Sequence, residues 1–246
     1  MTNLAPTDLT DQVVVISGGS RGIGRAAAQA LAALGATVAI VGQNPENVAQ
    51  TVAESVANDC DALGVVCDVS DPDQVARTIA ANPVLANADI LINSAGVMSD
   101  RTAKTLRTTP DEWQRVMGIN LDGTFNMISA IGPAMQARRS GRIINLSACL
   151  GRFTGPGLAG GLAPYRISKA AVNALTKNLA AELGNGSRGV LVDAMCPNHT
   201  RTDMGGPDAP RSAEEAADTI VWLATREHTA DIETGYLWED RQIVPW

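Results

Sequence analysis

The sequence is poor in the residues that hold metals or form disulfides. Its cysteines and histidines are limited to Cys60, Cys67, Cys149, Cys196, His199 and His228. No two cysteines have CxxC spacing, so the set matches neither a disulfide framework nor a zinc site. We therefore expect a reduced, cytoplasmic protein that binds no metal.

The sequence also lacks an excess of positive charge and any long apolar run. Its formal net charge is −7, which disfavours binding to a phosphate backbone. Apolar residues never run on for the roughly eighteen positions that a membrane span needs. The stretch Met1–Asp11 has neither a basic segment nor an apolar one, so we expect no signal peptide. Nucleic acid and membrane are thus not expected partners.

What the sequence does contain is an alternation of short β-branched runs and longer segments rich in alanine and leucine. Of its 246 residues 45% are hydrophobic, enough for one large core. Strands are predicted at Val13–Ile16, Val38–Val41, Val65–Val66, Ile90–Ile92, Ile143–Leu146 and Val190–Met195. Helices are predicted at Gly24–Leu34, Pro45–Ala57, Asp73–Ala81, Pro110–Met135, Tyr165–Leu183 and Ser212–Ala224. This alternation predicts an α/β fold: an open, doubly wound parallel sheet of about seven strands with helices on both faces, in one domain over residues 1–246.

A glycine-rich turn follows the first predicted strand and opens the first helix. Its sequence is Ser17-Gly18-Gly19-Ser20-Arg21-Gly22-Ile23-Gly24. Glycines allow a tight turn and let a pyrophosphate approach the helix N-terminus, where free N–H groups favour negative charge. The spacing is not GxGxxG, so the turn alone indicates a dinucleotide only weakly, but its place after the first strand supports one.

Tyr165 and Lys169 lie four residues apart in a predicted helix. This spacing puts both side chains on one face, about 6 Å apart along the axis. Ser147 ends the preceding strand, at the sheet edge where ligands of such folds bind. A nearby ammonium favours the phenolate and would lower the pKa of Tyr165 from about 10. We predict that Tyr165 is the general acid when hydride reduces a carbonyl and the general base in the reverse oxidation, and that Ser147 binds the substrate oxygen.

These motifs resemble those of the short-chain dehydrogenase/reductase family over nearly the whole chain. The glycine turn has the family's spacing, and Asn93-Ser94-Ala95-Gly96 is similar to its Asn-Asn-Ala-Gly motif. Asp68 matches the acidic residue that contacts the adenine ring. Pro197-Asn198 departs from the family's Pro-Gly, although asparagine enters the left-handed region more readily than most residues. The family's catalytic positions match Asn120, Ser147, Tyr165 and Lys169.

The resemblance implies a Rossmann-type fold and a nicotinamide dinucleotide. Lys169 would hold the ribose hydroxyls, and Asn120 would lie near a helix kink and support a water chain that reprotonates the site. The loop after the sixth strand would lie beneath the nicotinamide, with a backbone amide near Thr200 and the Thr202 hydroxyl on the carboxamide. The implied cofactor contacts are Gly18, Ser20, Arg21, Gly22, Ile23, Gly24, Gln43, Asp68, Val69, Asn93, Ala95, Gly96, Tyr165, Lys169, Pro197, Asn198, Thr200 and Thr202.

The residues after the second strand favour NADP(H) over NAD(H). NAD enzymes of this fold place a carboxylate there for the ribose 2′-hydroxyl. This chain has Gly42, Gln43 and Asn44 instead, and Arg21 could pair with a 2′-phosphate. Gln43, however, replaces a second basic residue often found in NADP enzymes, so NAD(H) stays possible.

The substrate side is inferred from the same resemblance. Thr200–Ala224 and the ending Gly235–Trp246 resemble the carbonyl-reductase branch of the family, whose short lid leaves an accessible pocket. The stretch Gly151–Gly161 is either a pocket wall or a mobile surface loop, and His199 either contacts substrate or lies on the rim. The candidate pocket residues, any of which could instead belong to the core, are Met98, Cys149, Leu150, Phe153, Leu158, Leu162, His199 and Met204.

The favoured function is an NADP(H)-dependent carbonyl reductase or alcohol dehydrogenase for a small to medium ketone or aldehyde and its alcohol. The alternative is a 3-oxoacyl-carrier-protein reductase, in which Arg138-Arg139 and Arg166 could contact an acidic carrier. A dinucleotide-sensing regulator without turnover is disfavoured because all four catalytic residues are present. Helices around Leu121–Met135 and Tyr165–Leu183 resemble those through which many family members form a homotetramer or homodimer, which we expect here.

Overall fold

The β-branched runs of the sequence form one sheet. A computed structural model describes residues 8–100, 103–229 and 231–246. The strands are β1 (Val13–Ser17), β2 (Thr37–Gly42), β3 (Ala62–Val66), β4 (Ile90–Asn93), β5 (Gly141–Leu146), β6 (Val190–Met195), β7 (Leu237–Glu239) and β8 (Gln242–Val244). They lie in the order β3-β2-β1-β4-β5-β6-β7-β8. Neighbouring strands are parallel except for the last pair, β7 and β8.

Helices connect the strands, and several of them begin at a residue whose side chain caps the first turn. They are α1 (Gly22–Ala32), α2 (Pro45–Val56), α3 (Pro72–Ala80), α4 (Pro83–Ala86), α5 (Pro110–Met117), α6 (Gly123–Arg138), α7 (Ala163–Glu182) and α8 (Ala213–Thr225). At the start of α2 the Asn44 side chain accepts the free N–H of Asn47 at 2.7 Å, ahead of a proline in the first turn. Gly35 and Gly184 follow α1 and α7 with φ of 93° and 75°, a conformation that ends helices.

Helices cover both faces of the sheet. Val14 and Ile16 of β1 pack with residues of α1 and α8, whereas Val15 between them packs with residues of α3 and α6 on the other face. None of the three exposes any surface. Burial on both faces explains why the strands are continuous apolar runs. The doubly wound, mostly parallel fold expected from the sequence is confirmed.

The structure differs from the expectation in two places. The helix predicted over Pro110–Met135 is interrupted by a π-helical turn, Gly118–Asp122, between α5 and α6. Such turns are rare and often occur at functional sites. The sheet also has eight strands rather than about seven. Asp240 and Arg241 take positive φ values of 50° and 61°, and this turn folds the last residues into the hairpin β7–β8.

The sequence predicted no disulfides, no metal site and no membrane-spanning helix. Each of the four cysteines is a free thiol. Within residues 8–100, 103–229 and 231–246, no group of three or more His, Cys, Asp or Glu side chains could hold a metal ion. No helix in these same ranges is long and apolar enough to cross a membrane. Most of the N-terminal stretch used to argue against a signal peptide, residues 1–7, lies outside the described residues.

Candidate active site

A cavity of about 310 Å³ lies at the carboxyl edge of the sheet. Its walls come from the segments that follow β1 to β6, because the ends of parallel strands meet at this edge. Its volume falls in the range of about 300–1,000 Å³ that is usual for small-molecule sites. The expected cofactor residues that line it are Gly18, Ser20, Arg21, Gly22, Ile23, Gln43, Asp68, Val69, Ala95, Gly96, Tyr165, Lys169, Pro197 and Thr202.

The glycine turn forms one wall without side chains. Gly18 has a φ of 68°, and a Cβ added there would lie 2.6 Å from the backbone nitrogen of Ala95. Arg21, the residue before α1, makes no side-chain cap bond to the first turn. An uncapped helix N-terminus beside a bare glycine turn suits a negatively charged group. The cradle therefore fits the pyrophosphate of a dinucleotide.

Gly24 and Asn93 were expected to contact the cofactor but do not line the cavity. A Cβ on Gly24 would lie 2.3 Å from the carbonyl oxygen of Gly18, so this glycine lets α1 pack against the turn. The buried Asn93 amide donates to Asn145 Oδ1 at 2.9 Å and ties β4 to β5. Both residues therefore support the backbone of the cavity wall without contacting the cavity.

The loop after β6 presents Pro197 and Thr202 to the cavity, but not Asn198 or Thr200. Asn198 adopts a φ of 59°, so the left-handed conformation expected of it is confirmed. Thr200 is buried, and its hydroxyl donates to the Pro197 carbonyl at 3.0 Å. The side chain of Thr200 thus shapes the loop from within.

The end of β2 carries no carboxylate. Gly42 and Gln43 line the cavity there, and the Gln43 amide donates to Asp68 Oδ2 at 2.9 Å. Arg21 Nη1 lies 3.1 Å from Asp203 Oδ2, and both of these side chains are largely exposed. Exposed ion pairs contribute little free energy, so the Arg21 guanidinium can exchange this partner for another anion.

Tyr165, Lys169 and Ser147 meet in the same cavity, as their spacing predicted. All three are buried. The Lys169 ammonium donates to the Leu146 carbonyl at 2.7 Å, and the Ser147 hydroxyl donates to the Lys169 carbonyl at 3.3 Å. A phenol, an ammonium and a hydroxyl are therefore collected where β5 and α7 approach each other.

The electrostatics of Tyr165 differ from the expectation. Its pKa is raised above that of a free phenol, mainly because burial disfavours the phenolate, and charge on Cys196 and Cys149 adds to this. Burial also lowers the pKa of Lys169 to about 8. The pKa of Tyr165 is thus raised in this structure, where Lys169 was expected to lower it, and burial is the main cause. The phenol is protonated at neutral pH.

Asn120 lies in the π-helical turn and is fully buried. Its Nδ2 donates to the Val97 carbonyl and to Ser168 Oγ, both at 3.0 Å, and its Oδ1 accepts the Val97 N–H at 2.8 Å. A Cβ built on Gly96 would lie 3.4 Å from Asn120 Oδ1 and 3.6 Å from Lys169 Nζ. The amide therefore fixes the segment after β4 beside the lysine, at the interruption of the helix where the kink was expected.

The expected substrate residues are divided among four places: the cavity, two apolar clusters and the surface. Met204 lines the cavity. Met98, Leu150 and Leu162 pack around Tyr165 in a small apolar cluster. Cys149 packs instead against the buried cluster of Ala194, Cys196 and Leu237, and its substrate contact stays a prediction.

Phe153, Leu158 and His199 lie on the surface. The two apolar side chains are 76% and 75% exposed, so they form no closed wall. His199 is exposed and its Nε2 lies 2.8 Å from the Gly205 carbonyl oxygen, which supports the rim position rather than a substrate contact. Leu150 and Leu162, at the two ends of this segment, nevertheless pack against the apolar cluster that contains Tyr165.

The arginines expected to contact a carrier protein do not form a patch at the cavity. Arg138 and Arg139 end α6 just before β5 begins, at the amino edge of the sheet and thus opposite the cavity. The Arg166 guanidinium donates to the carbonyls of Pro156 and Gly157 at 3.3 and 3.2 Å. These positions follow from the topology of the sheet and from the loop carbonyls that Arg166 binds, neither of which the sequence reveals.

Sequence reasoning missed part of the lining. Most of the missed residues adjoin an expected residue in the chain, so the ends of the predicted strands could have indicated them. Ile119 directly precedes the expected Asn120, whereas Asn47 has no such signal, because it reaches the cavity from the first turn of α2. The missed residues are Val41, Gly42, Asn44, Asn47, Cys67, Ser94, Val97, Ile119, Leu146 and Asp203.

A sheet of this order, with an uncapped helix after its first strand and a buried proton donor across the cavity, defines an oxidoreductase of the nucleotide-binding α/β class. The comparisons with known proteins narrow the class. Residues 12–212 match the family model described as short chain dehydrogenase, and the chain belongs to that family.

Relatives in this family match almost the full chain. A 3-oxoacyl-[acyl-carrier-protein] reductase of Synechocystis is 38% identical over 239 residues, covering 89% of this chain and 91% of the relative. A crystal structure of a 3-oxoacyl-[acyl-carrier protein] reductase from Brucella melitensis superposes with a TM-score of 0.84 at 33% identity, covering 98% and 96% of the two chains. Another from the same organism, with bound NAD, gives 0.83 at 32% identity, covering 98% and 95%.

Proposed function

We propose that the protein reduces a 3-oxoacyl thioester to the 3-hydroxyacyl thioester, with NADP(H) as the cofactor. The observation that carries this proposal is the near-complete match to relatives named as 3-oxoacyl-carrier-protein reductases, over 89% and 98% of this chain. The carbonyl-reductase function favoured by the sequence is ranked second, because its signal was confined to the lid and the C-terminal residues.

The surface around Tyr165 agrees with a chain-like substrate. Leu150 and Leu162 pack on Tyr165 and hold both ends of a segment that exposes Phe153 and Leu158. An acyl chain that enters with its 3-oxo group at Tyr165 would cover such apolar side chains. The open mouth leaves room for the bulky carrier at the other end of the thioester.

Each side chain of the site has one task in this proposal. A dinucleotide held in this cavity would supply the hydride that reduces the carbonyl carbon. Tyr165, protonated because burial raises its pKa, donates the proton that the developing alkoxide needs. Ser147 turns its hydroxyl from the 3.3 Å bond with the Lys169 carbonyl to the substrate oxygen. Lys169 holds the ribose hydroxyls, and Asn120 supports the water chain that returns the proton to Tyr165.

NADP(H) is favoured over NAD(H) for two reasons. No carboxylate follows β2 to repel a 2′-phosphate, and Arg21 lines the cavity with only an exposed partner, Asp203. Replacing Arg21 by alanine should lower kcat/KM for NADPH by about tenfold and leave that for NADH within about twofold. Arg77, exposed on α3, is the matched control. Equal losses of kcat/KM with both cofactors would show that Arg21 does not bind the 2′-phosphate.

The decisive assay for the substrate compares an acetoacetyl thioester with simple ketones of similar size, each with both cofactors. We expect kcat/KM for the thioester to exceed that for the ketones by more than about tenfold. The reverse order would restore the carbonyl-reductase hypothesis. Cofactor binding without turnover of either substrate class would instead indicate the non-catalytic regulator. The homodimer or homotetramer and the cytoplasmic location stay predictions.

A further inference from the structure

Cys149 and Cys196 lie beside each other past the ends of two neighbouring strands. β5 and β6 are in register so that Leu146 pairs with Met195, and the Ser147 N–H donates to the Met195 carbonyl at 2.8 Å. Cys149 packs against the buried cluster that contains Cys196. The side chains of Cys149 and Cys196 interact closely enough for each to shift the pKa of the other. This contact brings together residues that are far apart in the sequence.

The two cysteines adjoin both functional parts of the cavity. Cys149 follows Ser147 by two positions, and Cys196 directly precedes Pro197, which lines the cavity. Both sulfur atoms are near enough to Tyr165 for their charge to raise its pKa. A covalent change at this pair therefore acts on the serine segment and on the cofactor loop together.

The two thiols differ in access and in reactivity. Cys149 is half-buried, whereas Cys196 is 1% exposed. The pKa of Cys149 is lowered, mainly by its interaction with the Cys196 side chain. Thiolates rather than thiols are the nucleophiles, so Cys149 reacts first and Cys196 is in place to react second. Accessible, low-pKa cysteines next to a second thiol are typical of redox-sensitive sites.

We propose that Cys149 and Cys196 are a modification site for hydroperoxides, and that its oxidation to a disulfide weakens dinucleotide binding. The Cys149 thiolate attacks the outer peroxide oxygen. The O–O bond breaks, the alkoxide leaves and takes up a proton, and Cys149 becomes a sulfenic acid. The Cys196 sulfur then attacks that sulfur and displaces water. In total two thiols and one hydroperoxide give one disulfide, one alcohol and one water.

The weaker binding follows from the change in sulfur separation. A disulfide bond is about 2.05 Å long, whereas the sulfur atoms of two unlinked thiols lie more than an ångström further apart. Closing the bond must shift the segment of Cys149, the segment of Cys196 or both. Because Pro197 is the next residue after Cys196, the cofactor loop moves with it.

Peptide mapping tests the site directly. The reduced full-length protein is treated with hydrogen peroxide, alkylated and digested with trypsin. We expect the peptides Ile143–Arg152 and Gly189–Arg201 to be joined with the loss of two hydrogens and to separate with dithiothreitol. Cys60 is the matched control, because it is also half-buried but donates to the Asn58 carbonyl rather than to a thiol. In the Cys60→Ser variant the link should form at the wild-type rate.

NADPH titration, followed by cofactor fluorescence, measures the consequence. We expect the Kd to rise at least about threefold after oxidation, to recover with dithiothreitol, and not to respond to peroxide in Cys149→Ala. A singly oxidised Cys149 without the link, or linked peptides with an unchanged Kd, would overturn the proposal. The binding measurement rests on the proposed cofactor but the mapping does not. An unlinked pair in a protein that reduces thioesters thus contradicts only the redox site, and a linked pair in an inactive protein contradicts only the proposed function.

Discussion

The cofactor half and the substrate half of the cavity differ in what determines their shape. In the glycine turn a Cβ on Gly18 or Gly24 would collide with backbone atoms at 2.6 and 2.3 Å. The segment between Leu150 and Leu162 is mixed: a Cβ on Gly151 or Gly157 would collide with backbone atoms of Lys169 or Arg152, whereas one on Gly155 or Gly160 would meet no atom within 4 Å. Backbone contacts therefore restrict the glycine turn of the first half, but only part of the segment in the second half. Cofactor binding thus depends mainly on the backbone of the fold, whereas substrate choice depends on exposed side chains.

The largest expected effect comes from the chemistry that lies between the two halves. Replacing Tyr165 by phenylalanine removes the proton donor and keeps the buried ring. We expect kcat to fall by about a thousandfold or more, because positioned acid catalysis contributes about 10²–10⁴-fold. Steady-state kinetics measure kcat, and fluorescence titration should show the NADPH Kd within about threefold of wild type. Wild-type turnover in this variant would contradict the role of Tyr165 as proton donor. Loss of cofactor binding would show that Tyr165 also serves the cofactor half of the cavity.

A pair of glycine substitutions tests most directly whether the two halves of the cavity differ in backbone restriction. Gly18→Ala forces an alanine into a φ of 68° with its Cβ 2.6 Å from a backbone nitrogen. We expect a loss of about 2–4 kcal/mol in the free energy of unfolding, together with weaker cofactor binding. Gly160→Ala, in the substrate half, should stay within about 0.5 kcal/mol of wild type. Chemical denaturation measures both. Equal effects would mean that the two halves are equally restricted.

In the cofactor half, the buried charge of Lys169 lowers the free energy of unfolding. Burial lowers its pKa from 10.5 to about 8, so at pH 7 the folded protein carries a poorly solvated charge. Lys169→Met should abolish activity yet raise the free energy of unfolding by about 1–2 kcal/mol at pH 7, after the lost hydrogen bond to Leu146 is subtracted.

The pH dependence of this difference has a definite sign. Below pH 8 Lys169 is charged in the folded and the unfolded chain, and the burial penalty is complete. Between about 8 and 10.5 the folded chain loses its proton first, so wild-type stability rises with pH and the advantage of the methionine variant shrinks. Denaturation curves from pH 7 to 10 check this. A constant difference, or a less stable variant at pH 7, would contradict it.

The same contrast explains what the sequence could predict. The strands and the glycine turn follow local rules: buried β-branched runs, and glycine where φ is positive. The four-residue step from Tyr165 to Lys169 is likewise local, so their meeting with Ser147 followed from strand order. These features describe the fold and most of the cofactor half.

What the sequence could not predict depends on non-local packing. The π-helical turn at Asn120 follows from its bonds to Val97, and the raised pKa of Tyr165 from how completely its surroundings bury it. The contact between Cys149 and Cys196 needs the register of β5 with β6. Apolar residues such as Phe153 give no sequence signal that separates an exposed loop from a pocket wall.

The smallest effect is expected in the substrate half. Phe153 is 76% exposed, so Phe153→Ala should leave the free energy of unfolding within about 0.5 kcal/mol of wild type. If the ring covers part of an acyl chain, its loss costs about 1 kcal/mol of binding, or about fivefold in kcat/KM for a long-chain 3-oxoacyl thioester.

A short-chain thioester provides the internal reference for Phe153→Ala, because it is too short to reach the ring and should be turned over as before. Leu106, which is 99% exposed, is the control for loss of an exposed apolar side chain. Equal kcat/KM values for long and short chains in Phe153→Ala would make Gly151–Gly161 a plain surface loop. Substrate choice would then have to come from Met204 and the other residues that line the cavity itself, and the two halves would no longer differ in the way argued from the glycines.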